Sequence, residues 1–334
     1  MWKRFIVFIA VLFLLPGVFT FGAEKTCDRA CLENYIDRYL DAMKDNNPSL
    51  DLFTRDCKFT ENGAQLPLGG EGLWYSMTGR ANYKFYIPDI ETRQIAYIGT
   101  VKEAGGPARN GQPAKETISA VSIRLKIDDN GKICEAEQLV MRPELNLFAA
   151  EETEETKETE GAEAAGPPKM LPTGEAIDKM GAPHPVYMEA IPEKERMSRE
   201  ELVKVANYYF EGGQRIDGKV YYPFTDDCER FENGIQTTQT NCKEQFESGE
   251  LKDIISRIRD RRFVAVDRER GIVFAFCFFD HVKINWTWEV SELFKIENGL
   301  IRRIEAAFLR CPYGMNSGWS TYQQTMSEEI QSIH

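Results

Sequence analysis

Two glutamates, Glu61 and Glu232, hold the same place in a phrase that occurs twice. The phrase runs Cys57-Lys-Phe-Thr-Glu-Asn-Gly63 and returns 171 positions later as Cys228-Glu-Arg-Phe-Glu-Asn-Gly234. A carboxylate fixed in an apolar pocket is held back from ionising, so it can take up and return a proton beside a carbonyl group. The same glutamate could instead close the turn with the Asn-Gly that follows it, or pair with an arginine of its own domain. The sequence leaves both uses open.

Other residues carry chemistry with less positional support. His281, in Phe278-Phe-Asp-His281, is the only histidine placed to serve as an acid or base in the second half. Its apolar neighbours equally suit a buried histidine satisfied by Asp280 or by backbone. Trp74, Tyr75, Tyr83, Phe85 and Tyr86 follow a glycine-rich turn. They could line a pocket for a flat or sugar-like ligand, or fill the space between helix and sheet. Arg142 and Arg310 recur after Glu137 and Glu305, as expected of structural pairs. Trp286 and Trp288 alternate with polar residues and so share one sheet face, a candidate inter-domain contact. The arginines of Arg259–Arg262 suit a solvated helix end. No Cys-x-x-Cys pair exists and there are only three histidines, so no metal site is expected.

The elements that must position these residues repeat as well. Leu32, Tyr35, Ile36, Tyr39, Leu40 and Met43 fall at helical spacing. In the second half Leu202, Val205, Ala206, Tyr209 and Phe210 do the same, after a Ser198-x-x-Glu201 capping box. Near the end of each half an alternating run turns at Asn130-Gly131 or Asn298-Gly299 and returns, a strong hairpin signal. Further strands are expected over Ile95–Val101, Thr117–Ile127, Phe263–Asp267 and Ile272–Phe279, with an extra helix over Leu251–Arg261. Each half is thus an α+β unit of N-terminal helix and curved antiparallel sheet. The chain is a tandem duplication.

Composition sets the boundaries and the compartment. Lys3 and Arg4 precede an apolar run over Phe5–Phe21, so residues 1–23 read as an export signal, cleaved or retained as an anchor, with cleavage favoured by the short run and Pro16. The two domains are expected over 24–148 and 196–320, separated by an acidic, proline-containing linker over 149–195 and followed by a tail over 321–334. Glu151–Gly166 is almost entirely Glu, Thr, Ala and Gly, which cannot bury a core. After signal cleavage no membrane span is expected. Eight cysteines suit an oxidising compartment, secreted or periplasmic, where disulfides form. Asn285-Trp-Thr287 is a glycosylation acceptor in a eukaryotic host. A net charge of −12 argues against nucleic acid as a partner.

The phrases Tyr39-Leu-x-Ala-Met, Leu52-Phe-Thr-x-Asp-Cys-x-Phe-x-Glu-Asn-Gly and Leu125-Lys-Ile-x-x-x-Gly-Lys-Ile, each echoed in the second half, resemble the nuclear-transport-factor-2-like superfamily. Its members include ketosteroid isomerase and the SnoaL-like cyclases. The resemblance covers nearly all of residues 27–142 and 197–310, and with Gly72-Leu-Trp74 it is similar to a poorly characterised group of secreted SnoaL-like proteins. It implies two cone-shaped domains paired through their sheet faces as an internal pseudo-dimer. It also implies a pocket at the open end of each cone. In that pocket Glu61 and Glu232 match the proton-moving carboxylate, and Tyr39 and Tyr209 match the tyrosine that donates to an enolate oxygen.

The family's second oxyanion donor, a protonated aspartate, falls near Ile123 when counted back from the Gly131 turn, with Arg124 beside it. The same count in the second half gives Ser291, beside Glu292. Both halves depart from the family's set at this position.

Two functions follow from different classes. One is an exported lyase, isomerase or hydrolase without metal or organic cofactor, acting on a small apolar, carbonyl-bearing or sugar-like molecule. Here Glu61 and Glu232 are the acid/base groups, Tyr39 and Tyr209 their partners, and Trp74, Tyr83, Arg124 and His281 the ligand contacts. The other is a non-catalytic module that binds a ligand or a protein. The enzyme requires a cavity above the glutamate; a cone filled by Trp74 and its neighbours would remove that requirement's support.

Overall fold

A computed structural model describes residues 27–105, 115–143 and 171–331, apart from 215, 217, 218, 250, 251 and 253. The proposed signal over 1–23 and the acidic stretch over 151–166 lie outside the described residues. Among those described, no helix is long and apolar enough to cross a membrane.

The first half opens with helix α1 (Arg29–Lys44), whose stripe of Leu32, Ile36, Tyr39, Leu40 and Met43 is buried. Asp28 caps it by accepting from the Cys31 amide. The chain continues through β1 (Phe53–Glu61), β2 (Ala64–Gln65), the single-turn helix α2 (Leu73–Ser76), β3 (Met77–Asp89), β4 (Gln94–Glu103), β5 (Thr117–Ile127) and β6 (Ile133–Met141). These strands form one sheet in the order β2-β1-β6-β5-β4-β3, antiparallel except for β1 beside β6.

Between the halves stands α3 (Thr173–Met180), followed by two 3₁₀ turns at Pro185–Met188 and Glu193–Glu195. The second half repeats the plan with α4 (Arg199–Gly213), β7 (Phe224–Glu232), β8 (Ile235–Gln236), α5 (Cys242–Glu247), β9 (Arg257–Asp267), β10 (Ile272–His281), β11 (Trp286–Glu297) and β12 (Leu300–Cys311). It closes with α6 (Tyr322–Thr325) and β13 (Ile330–Gln331). Its sheet runs β13-β9-β10-β11-β12-β7-β8, so strands β7 to β12 take the places of β1 to β6. The Ser198/Glu201 capping box starts α4 as the sequence predicts. The architecture is α+β, two separate sheets each with its own helices.

Among the described residues of Leu251–Arg261 the expected extra helix is not formed. Residues 257–261 belong to β9, and the helix of this region lies earlier, at α5. The arginines explain the change. Arg259, Arg261 and Arg262 are buried rather than solvated. Arg259 donates to Asp280, and Arg262 donates to both oxygens of Glu137 at 2.9 and 2.7 Å. Charged side chains that find partners across a sheet and an interface favour a strand where local composition suggests a solvated helix.

Each sheet has two faces. One face of each covers its own helix, α1 or α4, and these are the interiors of the two cones. The opposite faces pack on each other: Phe85, Ile98 and Leu139 of the first meet Phe274, Phe276 and Leu293 of the second in one buried cluster. At its centre the Ser122 and Ser291 hydroxyls share a hydrogen bond of 2.7 Å. These two serines occupy equivalent register positions, Ser122 opposite Ile98 and Ser291 opposite Phe276. A residue that touches its own counterpart lies on a two-fold axis. Trp286 and Trp288, expected at this contact, lie on the other face, because Ser291 faces the interface and the even-numbered positions beside it face the cone.

Candidate functional site

The cones are compared most directly along one row of side chains. In the first, Ile123 pairs with Gln138 and Gln138 with Glu61 across β5, β6 and β1. In the second, Glu292 pairs with Ala306 and Ala306 with Glu232 across β11, β12 and β7. Register therefore makes Glu292 the counterpart of Ile123, whereas counting from the turn gives Ser291. The discrepancy comes from the hairpins. The first spans five residues between β5 and β6, and the second is a two-residue turn with Asn298 and Gly299 both at positive φ. One residue of strand offset is lost in the difference.

In the first cone Glu61 is buried and saturated. Its Oε2 accepts from the Leu73 amide and from Gln138 Nε2, both at 2.8 Å. Its Oε1 pairs with Arg142 Nη1 at 2.8 Å. The carboxylate lies so close to Gly72, itself at φ 63°, that a Cβ there would stand 2.4 Å from Oε2. Tyr39 donates to Gln138 Oε1 at 2.9 Å, so tyrosine, glutamine and glutamate form one chain of bonds. Burial holds the Tyr39 phenol well above its usual range, as a neutral donor. Trp74 lies edge-on to Tyr39 and Phe53, with ring centroids 5.5 and 5.7 Å away, and occupies the space between helix and sheet. The Trp74 position is a core position.

The second cone holds a cavity of about 190 Å³. Its walls are apolar, from Ile216, Ile255, Phe279, Trp288 and Phe308 among others, and its polar groups are Tyr209, Arg230, Glu232 and Glu292. Glu292 is 1 % exposed and neither carboxyl oxygen has a hydrogen-bond partner. Burial pushes its pKa up to about 8, and the nearby Glu232 adds to the rise. Arg230 and the Tyr209 phenol, which stops short of a full hydrogen bond, pull it partly back. At neutral pH Glu292 is mostly the neutral acid, a donor and an acceptor in one group. Tyr209 is held protonated by burial.

Glu232 is more open than Glu61, with its side chain 27 % exposed and its Oε1 3.3 Å from Arg230 Nε. Arg230 is itself positioned by Gln245 Oε1 at 3.1 Å and Thr237 Oγ1 at 3.2 Å. Ala306 stands where the first cone has Gln138, and its small side chain leaves the volume that Gln138 fills in the first cone. Among the described residues no group of three or more metal-binding side chains is present.

The structure brings Tyr209 and Glu232 together at this cavity, as it brings Tyr39 and Glu61 together in the closed cone. The remaining candidates lie elsewhere. Tyr83 is on the interface face, its hydroxyl 3.5 Å from Glu305 Oε2. Arg124 faces the interface too, donating to Gln94 and Glu135 and lying 4.8 Å from the Trp319 ring centre. Both occupy positions that alternate away from the cone. His281 ends β10 opposite Trp286 and is not among the residues lining the cavity. Arg142 pairs with Glu61 and Glu103 in place of Glu137, while Arg310 lies over the Trp286 ring. Glu292 is the residue that counting missed. Its signal is a lone acid in the otherwise apolar alternation Val290-Ser-Glu-Leu-Phe294.

Residues 195–308 match a family described as a domain of unknown function (DUF8021). No curated protein matches the chain. Two solved structures are similar over about one domain. A de novo designed protein with a curved β-sheet is 21 % identical, covers 33 % of this chain and 87 % of its own, with a TM-score of 0.25. AclR from Streptomyces galilaeus is 15 % identical and covers 34 % of this chain and 80 % of its own, with a TM-score of 0.28. Both likenesses are too low in TM-score to bear on function.

Proposed function

We propose that the second cone is a pocket for a small, largely apolar, carbonyl-bearing molecule, and that the protein is an exported member of the SnoaL-like superfamily. The observation that carries the proposal is Glu292, a fully buried and unpartnered acid facing an apolar cavity that also holds Tyr209 and Glu232. A buried polar group without a partner costs stability, so its presence in a cavity suits a ligand that completes it. The paired sheets, the helix across each sheet and the repeated phrases support the superfamily. The charged-then-apolar start of the chain and the Cys27–Cys31 disulfide support export.

The reaction that this set suits is proton transfer beside the carbonyl. Glu232 takes a proton from the adjacent carbon, the carbonyl oxygen gains charge, and neutral Glu292 and Tyr209 donate hydrogen bonds to it. Return of the proton from Glu232 restores a neutral product. No metal or organic cofactor enters the scheme. The first cone, with Glu61 saturated and Trp74 in its interior, takes a structural role.

The test is solvent-deuterium incorporation into a panel of small cyclic ketones, followed by NMR, beside thermal-shift measurements on the same panel. Glu232→Gln is expected to abolish exchange while ligand-induced stabilisation persists, and Glu292→Ala to lower both. A ketone that stabilises wild type and both variants equally would show that these residues do not face it. Stabilisation without exchange in wild type would select the non-catalytic binding module.

A further inference from the structure

Ala306 is not the only small residue that opens the second cone. Gly213, the last residue of α4, also lines the cavity. The buried stripes of the two helices identify its counterpart: Leu32, Ile36, Tyr39 and Met43 of α1 answer, at identical spacing, to Leu202, Ala206, Tyr209 and Gly213 of α4. Met43 is fully buried in the core of the first cone. Gly213 is buried at the same place in the second and brings no side chain to it.

Strand register locates this glycine along the cavity. Among the described residues beyond its own helix, the nearest atom to a Cβ built on Gly213 would be Ile258 Cδ1, at 3.2 Å. Ile258 pairs with Phe279 across β9 and β10, and Phe279 with Trp288 across β10 and β11. Trp288 stands four residues before Glu292 on β11, about 13 Å away along an extended strand. The cavity therefore runs along the sheet from Glu232 and Glu292 to the apolar row of Ile258, Phe279 and Trp288, and Gly213 stands over that row.

The neighbouring glycine is required by packing. A Cβ on Gly212 would stand 2.6 and 2.9 Å from Cε1 and Cδ1 of the Tyr222 ring, which is buried in the core. No such demand acts at Gly213. The atom its Cβ would meet is the far end of a flexible side chain, and in a helix alanine is the better residue. A glycine that weakens its helix and faces an apolar cavity is explained by what the cavity holds. We propose that Gly213 sets the size of ligand the second cone accepts, its missing side chain making room for an apolar body of two fused rings. Side chains at both ends take part of the cavity's length, so a single ring leaves the far row empty and two fused rings reach it. The inference deepens the reading of this cavity as a carbonyl pocket and rests on it for the ligand's carbonyl end.

Three probes test this by isothermal titration calorimetry on the full chain: cyclohexanone, 1-tetralone, and tetralin, which has the two rings without the oxygen. Wild type is expected to bind 1-tetralone more tightly than either of the others. Gly213→Ala should weaken 1-tetralone and tetralin about tenfold and leave cyclohexanone within about twofold. The same variant should raise the Tm of the unliganded protein by roughly 2–4 °C. Gly213→Met, which installs the first cone's residue, should abolish binding of both two-ring probes. Gly212→Ala is the control and should lower Tm, because its added methyl meets the Tyr222 ring. A lower Tm in Gly213→Ala, unchanged affinity for the two-ring probes, equal weakening of all three, or no binding of either two-ring probe to wild type overturns the proposal. Equal binding of 1-tetralone and tetralin, both weakened by Gly213→Ala, would uphold the role of Gly213 and overturn the carbonyl reading alone.

Discussion

The two cones share a plan and differ in a row of three side chains: Ile123, Gln138 and Glu61 in the first, Glu292, Ala306 and Glu232 in the second. In the first, the glutamine spans from Tyr39 to Glu61, and Trp74 fills what is left. In the second, alanine reaches neither neighbour, and the row ends in an acid with no partner. A glutamate at a repeated position therefore does not carry one role. Whether it is a structural acceptor or a group facing a cavity is set by the residue next to it across the sheet.

Replacing the filler gives the largest contrast. Trp74→Ala should destabilise the protein by about 3–5 kcal/mol, because the site is fully buried and its edge-on neighbours cannot collapse into it. Trp288→Ala, on the wall of an existing cavity, should cost roughly 1–2 kcal/mol. Chemical denaturation of both variants measures the difference, and equal losses would mean that the first cone is no more tightly filled than the second.

The pH dependence comes next. Glu292 is raised to about 8 in the folded protein from an ordinary value of 4.5, and the interface acid Glu289 is raised to about 8 by burial and by Glu137. Between these limits the folded state binds protons that the unfolded state does not, so the stability these two acids contribute is fully present below about 4.5 and is lost as pH rises through about 8. Each group contributes a slope of at most about 1.4 kcal/mol per pH unit. Denaturation curves from pH 5 to 8 should fall less steeply in Glu292→Gln than in wild type. An unchanged slope would remove the neutral acid from the second cone.

Transplanting the row is a subtler test. Ala306→Gln should fill the second cavity and connect Tyr209 to Glu232 as Gln138 connects Tyr39 to Glu61. It should remove ligand-induced stabilisation while changing the unliganded Tm by only a few degrees. Retained ligand binding would place the ligand elsewhere. The smallest effect is expected at the interface, where Ser122→Ala leaves Ser291 its bond to the Ala307 carbonyl. About 1 kcal/mol should be lost, seen as a small shift in the denaturation midpoint.

Much of this plan is legible in the residues. The helical stripes, the Ser198/Glu201 box and the Asn-Gly hairpins each rest on local chemistry, and local chemistry survives into the fold. What was not legible depends on partners distant in sequence. Arg262 is a strand residue because Glu137 waits 125 positions away, and nothing near Arg262 reveals it. Trp74 reads equally as pocket or filling until Tyr39 and Phe53 are seen against it. Glu292 was displaced by one residue in the count, since hairpin lengths differ between the halves and only the strand register restores the match.

The serine pair at the centre of the interface has one more consequence. In an assembly of two identical subunits, every change made to one pocket is made to the other, so opening one cone opens both. Here the counterparts Ser122 and Ser291 meet as they would between identical subunits, yet each half is encoded separately. The chain keeps the geometry of a symmetric pair while its two interiors are free to diverge, so that one half can be rigid ballast for the other.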